Sequence, residues 1–252
     1  MKKSLIPFAV IALVISSCKK NDTPADTRKT YLTKEIFQST GSRTWTYDAQ
    51  NKLTNIEFAS TNEASNPSYN FRVNTLDAGN RVVDATIDYI NPTIADIKIV
   101  NVFGTDGKMI TSTEQNPSTG ATLSYYTFQY TATQTTVAYK NGAGIAQFSN
   151  VYTLSADGKN VVKNERYNGS AVLTNTDVYS AFDDKKTAQS IFVPGFSVIP
   201  YNTNNFTTDT YTQASTGAIT VYTYTYEYNS DGYATKRISA SGATITYEYV
   251  KK

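Results

Sequence analysis

The chain has no histidine and only one cysteine, Cys18. The first absence removes His-dependent triads, imidazole metal sites and imidazole proton shuttles. The second removes internal disulfides, thiol catalysis and cysteine-ligated zinc. No glycine-rich loop follows a strand and opens a helix, so a phosphate-cradling loop is missing as well. Long apolar runs are absent except for Leu5 to Ile15. That run is shorter than the roughly 20 residues a bilayer-spanning helix needs, and Pro7 interrupts it. Beyond it, no stretch carries a convincing helical period.

What is present begins at the amino end. Lys2 and Lys3 precede the apolar run, and Ser16-Ser17-Cys18 follows it. A charged start, a short apolar core and small residues before a cleavage point form an export leader over residues 1–17. The segment resembles a bacterial lipoprotein signal, with Ile15-Ser16-Ser17-Cys18 as its lipobox. The resemblance implies that Cys18 is acylated, becomes the new amino terminus and holds the protein on the outer membrane. The leader takes two lysines with it, leaving twenty-one bases and twenty-one acids. A neutral mature chain gives no electrostatic case for nucleic acid or for an anionic membrane face. Residues 18–30, which include KKNDTPADTRK, are charged and polar with little to bury, and read as a flexible tether.

From Tyr31 onward the dominant signal is alternation. Tyr222, Tyr224, Tyr226 and Tyr228 are separated by Thr223, Thr225 and Glu227. Ile245, Tyr247 and Tyr249 repeat the pattern, as do Tyr126, Phe128 and Tyr130. Aromatics on one side and polar groups on the other describe half-buried strands. Twenty tyrosines favour the same structure. Trp45, the sole tryptophan, reads as core.

A second signal is a repeat. An aromatic or leucine is followed by a short polar turn, then often by Lys or Arg and a new strand. Examples are Leu76-Asp77-Ala78-Gly79, Phe103-Gly104-Thr105-Asp106-Gly107-Lys108, Leu154-Ser155-Ala156-Asp157-Gly158-Lys159, Phe182-Asp183-Asp184-Lys185 and Tyr228-Asn229-Ser230-Asp231-Gly232. Tyr47, Leu76, Phe103, Tyr130, Leu154 and Phe182 fall at near-regular intervals. Asp-Gly supplies the positive φ of a tight turn. Asn141-Gly142, Asn168-Gly169, Thr216-Gly217 and Ser241-Gly242 mark the turns at the opposite strand ends. The expectation is a single all-β domain over residues 31–252. It is an antiparallel up-and-down meander of about 14 strands, curled into a partial or closed barrel because a long twisted sheet does not stay open. Residues 191–208 break the pattern with Pro194-Gly195, Pro200 and an Asn-rich run, and read as an insertion that serves as a lid or plug.

The segment Tyr226-Glu227-Tyr228-Asn229-Ser230-Asp231-Gly232-Tyr233 resembles the tyrosine-aspartate (YD) repeats of Rhs-type β-shell proteins. Joined to Cys18-Lys19-Lys20-Asn21-Asp22 and to the Pro-Gly insertion, it looks closer to Bacteroidetes-type lipoproteins of unknown function with a curled, porin-like sheet. That resemblance implies place and fold rather than chemistry, and leaves periplasmic face and cell surface both open.

The leading expectation is a non-enzymatic, membrane-tethered module binding a glycan or an envelope protein, with no cofactor, no metal and no nucleic acid. Irregular segments on a regular scaffold carry recognition, so the candidate ligand contacts are Phe192, Phe196, Tyr201, Asn202, Asn204 and Phe206. Two alternatives stand beside it: a carboxylate-dependent glycan hydrolase, which needs two acids about 5 to 10 Å apart, and a purely structural spacer. Asp183 and Asp184 are adjacent, but neighbours in a strand point to opposite faces.

Overall fold

The computed structural model describes residues 28–252. The leader, Cys18 and most of the tether lie outside the described residues. Sixteen strands follow one another in chain order. The first six are β1 (Thr30–Phe37), β2 (Gly41–Tyr47), β3 (Leu53–Ser60), β4 (Tyr69–Leu76), β5 (Val82–Tyr89) and β6 (Ile97–Phe103). Then come β7 (Met109–Gln115), β8 (Thr122–Tyr130), β9 (Gln134–Asn141), β10 (Ala146–Leu154) and β11 (Val161–Asn168). The last are β12 (Leu173–Lys186), β13 (Asn204–Gln213), β14 (Ile219–Tyr228), β15 (Ala234–Ser239) and β16 (Thr244–Lys251). Each pairs antiparallel with its sequence neighbours, and β1 pairs with β16 to close a barrel. Beyond that seam, Lys29 and Lys252 exchange backbone hydrogen bonds of 3.0 and 3.1 Å.

The repeat count falls two strands short for a definite reason. Seven turn signals each join two strands, but β1 and β16 meet at the seam with no turn between them. The barrel therefore has a near end, with the start of β1, the end of β16 and the seven connections read from the repeat, and a far end with the others.

One local device recurs at both ends. The side-chain oxygen of Asp48 accepts from the backbone N–H groups of Gln50 and Lys52. Asp77, Asn141, Asn168 and Asn229 do the same to residues two and four further on. An Asp or Asn that closes its own turn explains why these types open the connections. Gly107, Gly158 and Gly232, each after an aspartate, have φ of 79°, 71° and 79°.

The alternation places most aromatics in the lumen and most threonines outside, with charge on both faces. Trp45, Ile56 and Phe71 face one another across β2, β3 and β4 and are buried. Between them, Thr44, Glu57 and Asn70 point out. Lys98 pairs with Asp84 at 3.0 Å, Arg72 with Asp88 at 3.3 Å and Lys236 with Glu227 at 3.5 Å on this outer wall. Ile36, Val102, Val178 and Val221 are exposed on the same outer face. Among the described residues no helix is long and apolar enough to cross a membrane.

The Phe182 turn is the expectation that the structure alters. Rather than ending there, β12 continues to Lys186, which pairs with Asn204. The connection to β13 is residues 187–203, including a 3-10 turn at Ala188–Ile191. The irregular segment is thus shifted from the expected 191–208, because Asn204 to Thr208 join the sheet.

Candidate functional site

Residues 187–203 fold into the barrel as a plug. Thr187 caps the 3-10 turn by accepting from Ser190 N–H at 3.0 Å and donating to the Asn202 carbonyl at 2.7 Å. Ala188 is buried in the main core with Leu32, Trp45, Leu53, Ile56, Phe71, Val82 and Ala85. The Phe192 ring lies 5.7 Å from Trp45 and 5.5 Å from Phe196, whose ring meets Phe71 at 5.4 Å, edge to face. Such aromatic pairs add roughly 0.5–1.5 kcal/mol each beyond their buried area. Two hydrogen bonds to backbone carbonyls fix the tip: Val82 N–H donates to the Pro194 carbonyl at 2.8 Å, and the Asn101 side-chain Nδ2 donates to the Gly195 carbonyl at 2.9 Å.

Two cavities flank the plug. The smaller, about 220 Å³, is apolar and lies towards the near end among Phe103, Met109, Phe128, Tyr130 and the plug residues Val198 to Tyr201. The larger, about 610 Å³, lies on the far side. Tyr69, Phe71, Ile87, Ile99 and Tyr126 wall it, Arg43, Ser112, Glu114 and Gln189 supply polar groups, and Phe192, Phe196 and Tyr201 form its floor. A chamber of a few hundred Å³, mostly apolar with a few placed polar groups, has the form of a ligand site.

Charged groups also occupy the lumen. Glu35 is only 4% exposed and faces Arg43 at 3.4 Å. Burial pushes its carboxyl up to about 7, against the opposing pull of Arg43 and Arg237. Arg43 Nε is buried without a hydrogen-bond partner among the described residues. The Arg43 guanidinium lies 5.2 Å from the Phe37 ring.

A second polar cluster occupies the wall of β11 to β15. Asp177 pairs with Tyr211, and Tyr179 with Asp209, so Asp177 and Asp209 are diagonal neighbours on one face. Burial raises Asp177, although Asn164 and Asn175 donate to it at 3.4 and 3.2 Å. Burial and the nearby Asp177 push Asp209 up to about 6, opposed by Arg237. Asp209 Oδ1 and Asn164 Oδ1 are buried without a hydrogen-bond partner among the described residues. Sequence reasoning missed this pair, since thirty-two positions separate its members and only register brings them together.

Of the six candidate contacts, Phe192, Phe196 and Tyr201 line the larger chamber. The other three line neither cavity. Asn202 Oδ1 accepts from Val161 N–H at 2.6 Å, pinning the plug to β11. Asn204 exchanges hydrogen bonds with Asn160 at 2.9 and 3.1 Å. Phe206 packs on Tyr179 at 4.7 Å and Tyr224 at 5.7 Å.

Asp183 and Asp184 part as expected. Asp183 accepts from Tyr228 Oη, Asn205 N–H and Lys185 N–H, latching the root of the plug, while Asp184 is exposed beside Lys185 at 3.2 Å. Tyr224, Tyr226 and Tyr228 are half-buried, whereas Tyr222 is exposed. Several tyrosine hydroxyls stitch the near rim: Tyr47 donates to the Leu32 carbonyl at 2.9 Å and Tyr249 to the Ala234 carbonyl at 2.6 Å.

No family model matches the sequence, and no curated protein matches it. Solved structures do match the fold. A porin-like protein from Bacteroides uniformis ATCC 8492 aligns over 90% of this chain and 99% of its own, with a TM-score of 0.58 and 14% identity. A porin-like protein from Bacteroides vulgatus ATCC 8482 aligns over 88% of this chain and 99% of its own, with a TM-score of 0.55 and 10% identity. The chain shares with them an all-β antiparallel barrel.

Proposed function

We propose that this chain is a cell-envelope protein tethered to the outer membrane through an acylated Cys18, acting without catalysis as a receptacle for a glycan. The observation that carries the reading is the larger chamber. It combines aromatic faces, on which sugar rings stack, with Arg43, Ser112 and Glu114 as hydroxyl partners. The charged outer wall supports a barrel that stands in water beside its membrane rather than within it. The porin-like neighbours agree with an envelope location but supply no ligand.

The test is a glycan array, followed by calorimetry on any hit, using the mature chain and an Arg43→Ala variant. Retention of an oligosaccharide that weakens at least tenfold in Arg43→Ala is the expected result. A blank array together with an envelope pull-down that captures a protein would replace the glycan by a protein partner. Neither result would leave a structural spacer.

The Asp177 and Asp209 pair favours a second reading, a glycan hydrolase using two carboxyl groups. The raised Asp209 would serve as the acid. Reducing-end assays on any bound oligosaccharide decide it: turnover abolished in Asp209→Asn supports hydrolysis, and an unchanged ligand discards it.

A further inference from the structure

The two ends of the barrel differ in chemistry. Near-end connections carry charge: Asp48 with Lys52, Asp77 with Arg81, Asp106 with Lys108, Asp157 with Lys159, and Asp231. Along the arc from β7 to β16, the far-end connections are residues 116–121, 142–145, 169–172, 214–218 and 240–243. None of these holds an acid or a base. They are built from Ala, Gly, Ser and Thr, with Asn116, Pro117, Ile145 and Val172. Ile145, Val172 and Ile219 are each more than half exposed, and Leu123 is nearly so. On the remaining arc the charges are Glu63, which accepts from Ser68 N–H at 2.8 Å, and Asp96, which accepts from Tyr89 N–H at 2.9 Å.

The next charges down the strands are engaged below the rim. Glu114 lines the larger chamber. Arg166 lies 4.6 Å from the Phe148 ring, Arg237 4.9 Å from Tyr224 and Lys140 5.8 Å from Tyr125. The turns also satisfy their own backbone. Asn116 accepts from the N–H groups of Ser118 and Thr119, Asn141 from Ala143 and Ile145, and Asn168 from Ser170 and Val172. Gly217 N–H donates to the Gln213 carbonyl at 2.8 Å, and Ser239 Oγ accepts from Ala243 N–H at 3.1 Å. A rim without charge, whose N–H groups already have partners, leaves water at low cost.

We propose that this rim docks on the lipid bilayer to which the chain is tethered, seating Leu123, Ile145, Val172 and Ile219 at the boundary between headgroups and acyl chains. The rim enters the interface and does not span it. The inference rests on the tether of the functional reading above and is independent of what the lumen holds. A protein partner fits less well, because protein hot spots favour Trp, Tyr and Arg, and these five turns contain none of them. The reach is sufficient. Twelve positions separate Cys18 from Thr30, at most about 40 Å of chain. The eight residues of β1 cover about 26 Å, so the tether can run the length of the wall.

The test uses the mature chain with Cys18→Ser, so that no acyl chain contributes. It is co-sedimented with vesicles of phosphatidylcholine alone, at low salt and at about 1 M salt. Retention is expected under both conditions, since no ionic contact is involved. Ile145→Ser and Ile219→Ser should each weaken it about fivefold. Val102→Ser removes an exposed aliphatic side chain from the near half of the wall and should bind as the parent does. Circular dichroism establishes that each variant is folded. No retention, retention lost at high salt, or an equal loss in Val102→Ser overturns the proposal. Lipid-free dimerisation that Ile145→Ser and Ile219→Ser abolish assigns the rim to a second copy of the chain and also overturns it. Failure here leaves the tether standing, since mass spectrometry of the exported chain tests acylation of Cys18 directly.

Discussion

Asn101 on the barrel wall holds Gly195 at the tip of the plug, its Nδ2 lying 2.9 Å from the Gly195 carbonyl and 2.9 Å from the Val82 carbonyl. One buried amide thus joins β5, β6 and a segment ninety-four positions away. It makes the docking of the plug open to experiment.

Asn101→Leu should leave two buried carbonyls each short of one donor. A loss of about 1–3 kcal/mol in stability is expected. Chemical denaturation with coincident fluorescence and circular-dichroism transitions would measure it, and an unchanged midpoint would show that the contact is dispensable.

Gly195 cannot be replaced cheaply. Its φ is 91°, and a Cβ there would lie 2.4 Å from the Val82 carbonyl oxygen. Gly195→Ala therefore combines backbone strain of roughly 1–3 kcal/mol with a steric conflict against backbone. Thermal unfolding should drop by more than in Gly158→Ala, where nothing lies within 4 Å of the added methyl although φ is also positive. Equal losses would mean that the plug tip is not seated as described.

Trp45, being the sole tryptophan, reports on the plug without labelling. It is 5% exposed and touches both Phe192 and Phe196. Phe196→Ala should shift its emission to the red and lower stability by about 3 kcal/mol. Excising residues 188–201 should shift the emission further and abolish glycan binding, while the β-type circular dichroism persists. An unshifted emission after excision would contradict the packing.

Acidic groups in the lumen set a pH dependence. Glu35 rises from 4.5 to about 7 and Asp209 from 3.8 to about 6 on folding. The folded state therefore holds protons that the unfolded state has released. Stability is greatest at or below the unfolded values and falls as pH rises through the folded ones, a loss on the order of 3 kcal/mol from Glu35. Melting temperature should decline between pH 5 and 8, and Glu35→Gln should flatten that decline. A melting temperature that rises over this window in the parent chain would refute the assignment.

Much of the architecture was legible in the chain. Asp106-Gly107, Asp157-Gly158 and Asp231-Gly232 announce near-end turns because a positive φ and a self-bonding aspartate are local requirements. Tyr224, Tyr226 and Tyr228 announce an inward face because strand period is local too. The Phe182 connection was misread, since Asp183 and Asp184 look like a turn although Asp183 instead latches Tyr228 and Asn205. Asn202 and Asn204 look like free polar groups in an irregular run. Their partners, Val161 and Asn160, are more than forty positions distant and carry no mark in the sequence.

The sequence by itself determined the strands, their tight turns and which face of each is apolar, because all three follow from backbone conformation and a two-residue period. Only the tertiary structure decided that the ring closes between β1 and β16, that residues 187–203 enter the lumen, and that Asp177 meets Asp209. It also gathers Leu123, Ile145, Val172 and Ile219 at one rim. These outcomes depend on register and on contacts between distant segments, and chain composition fixes neither.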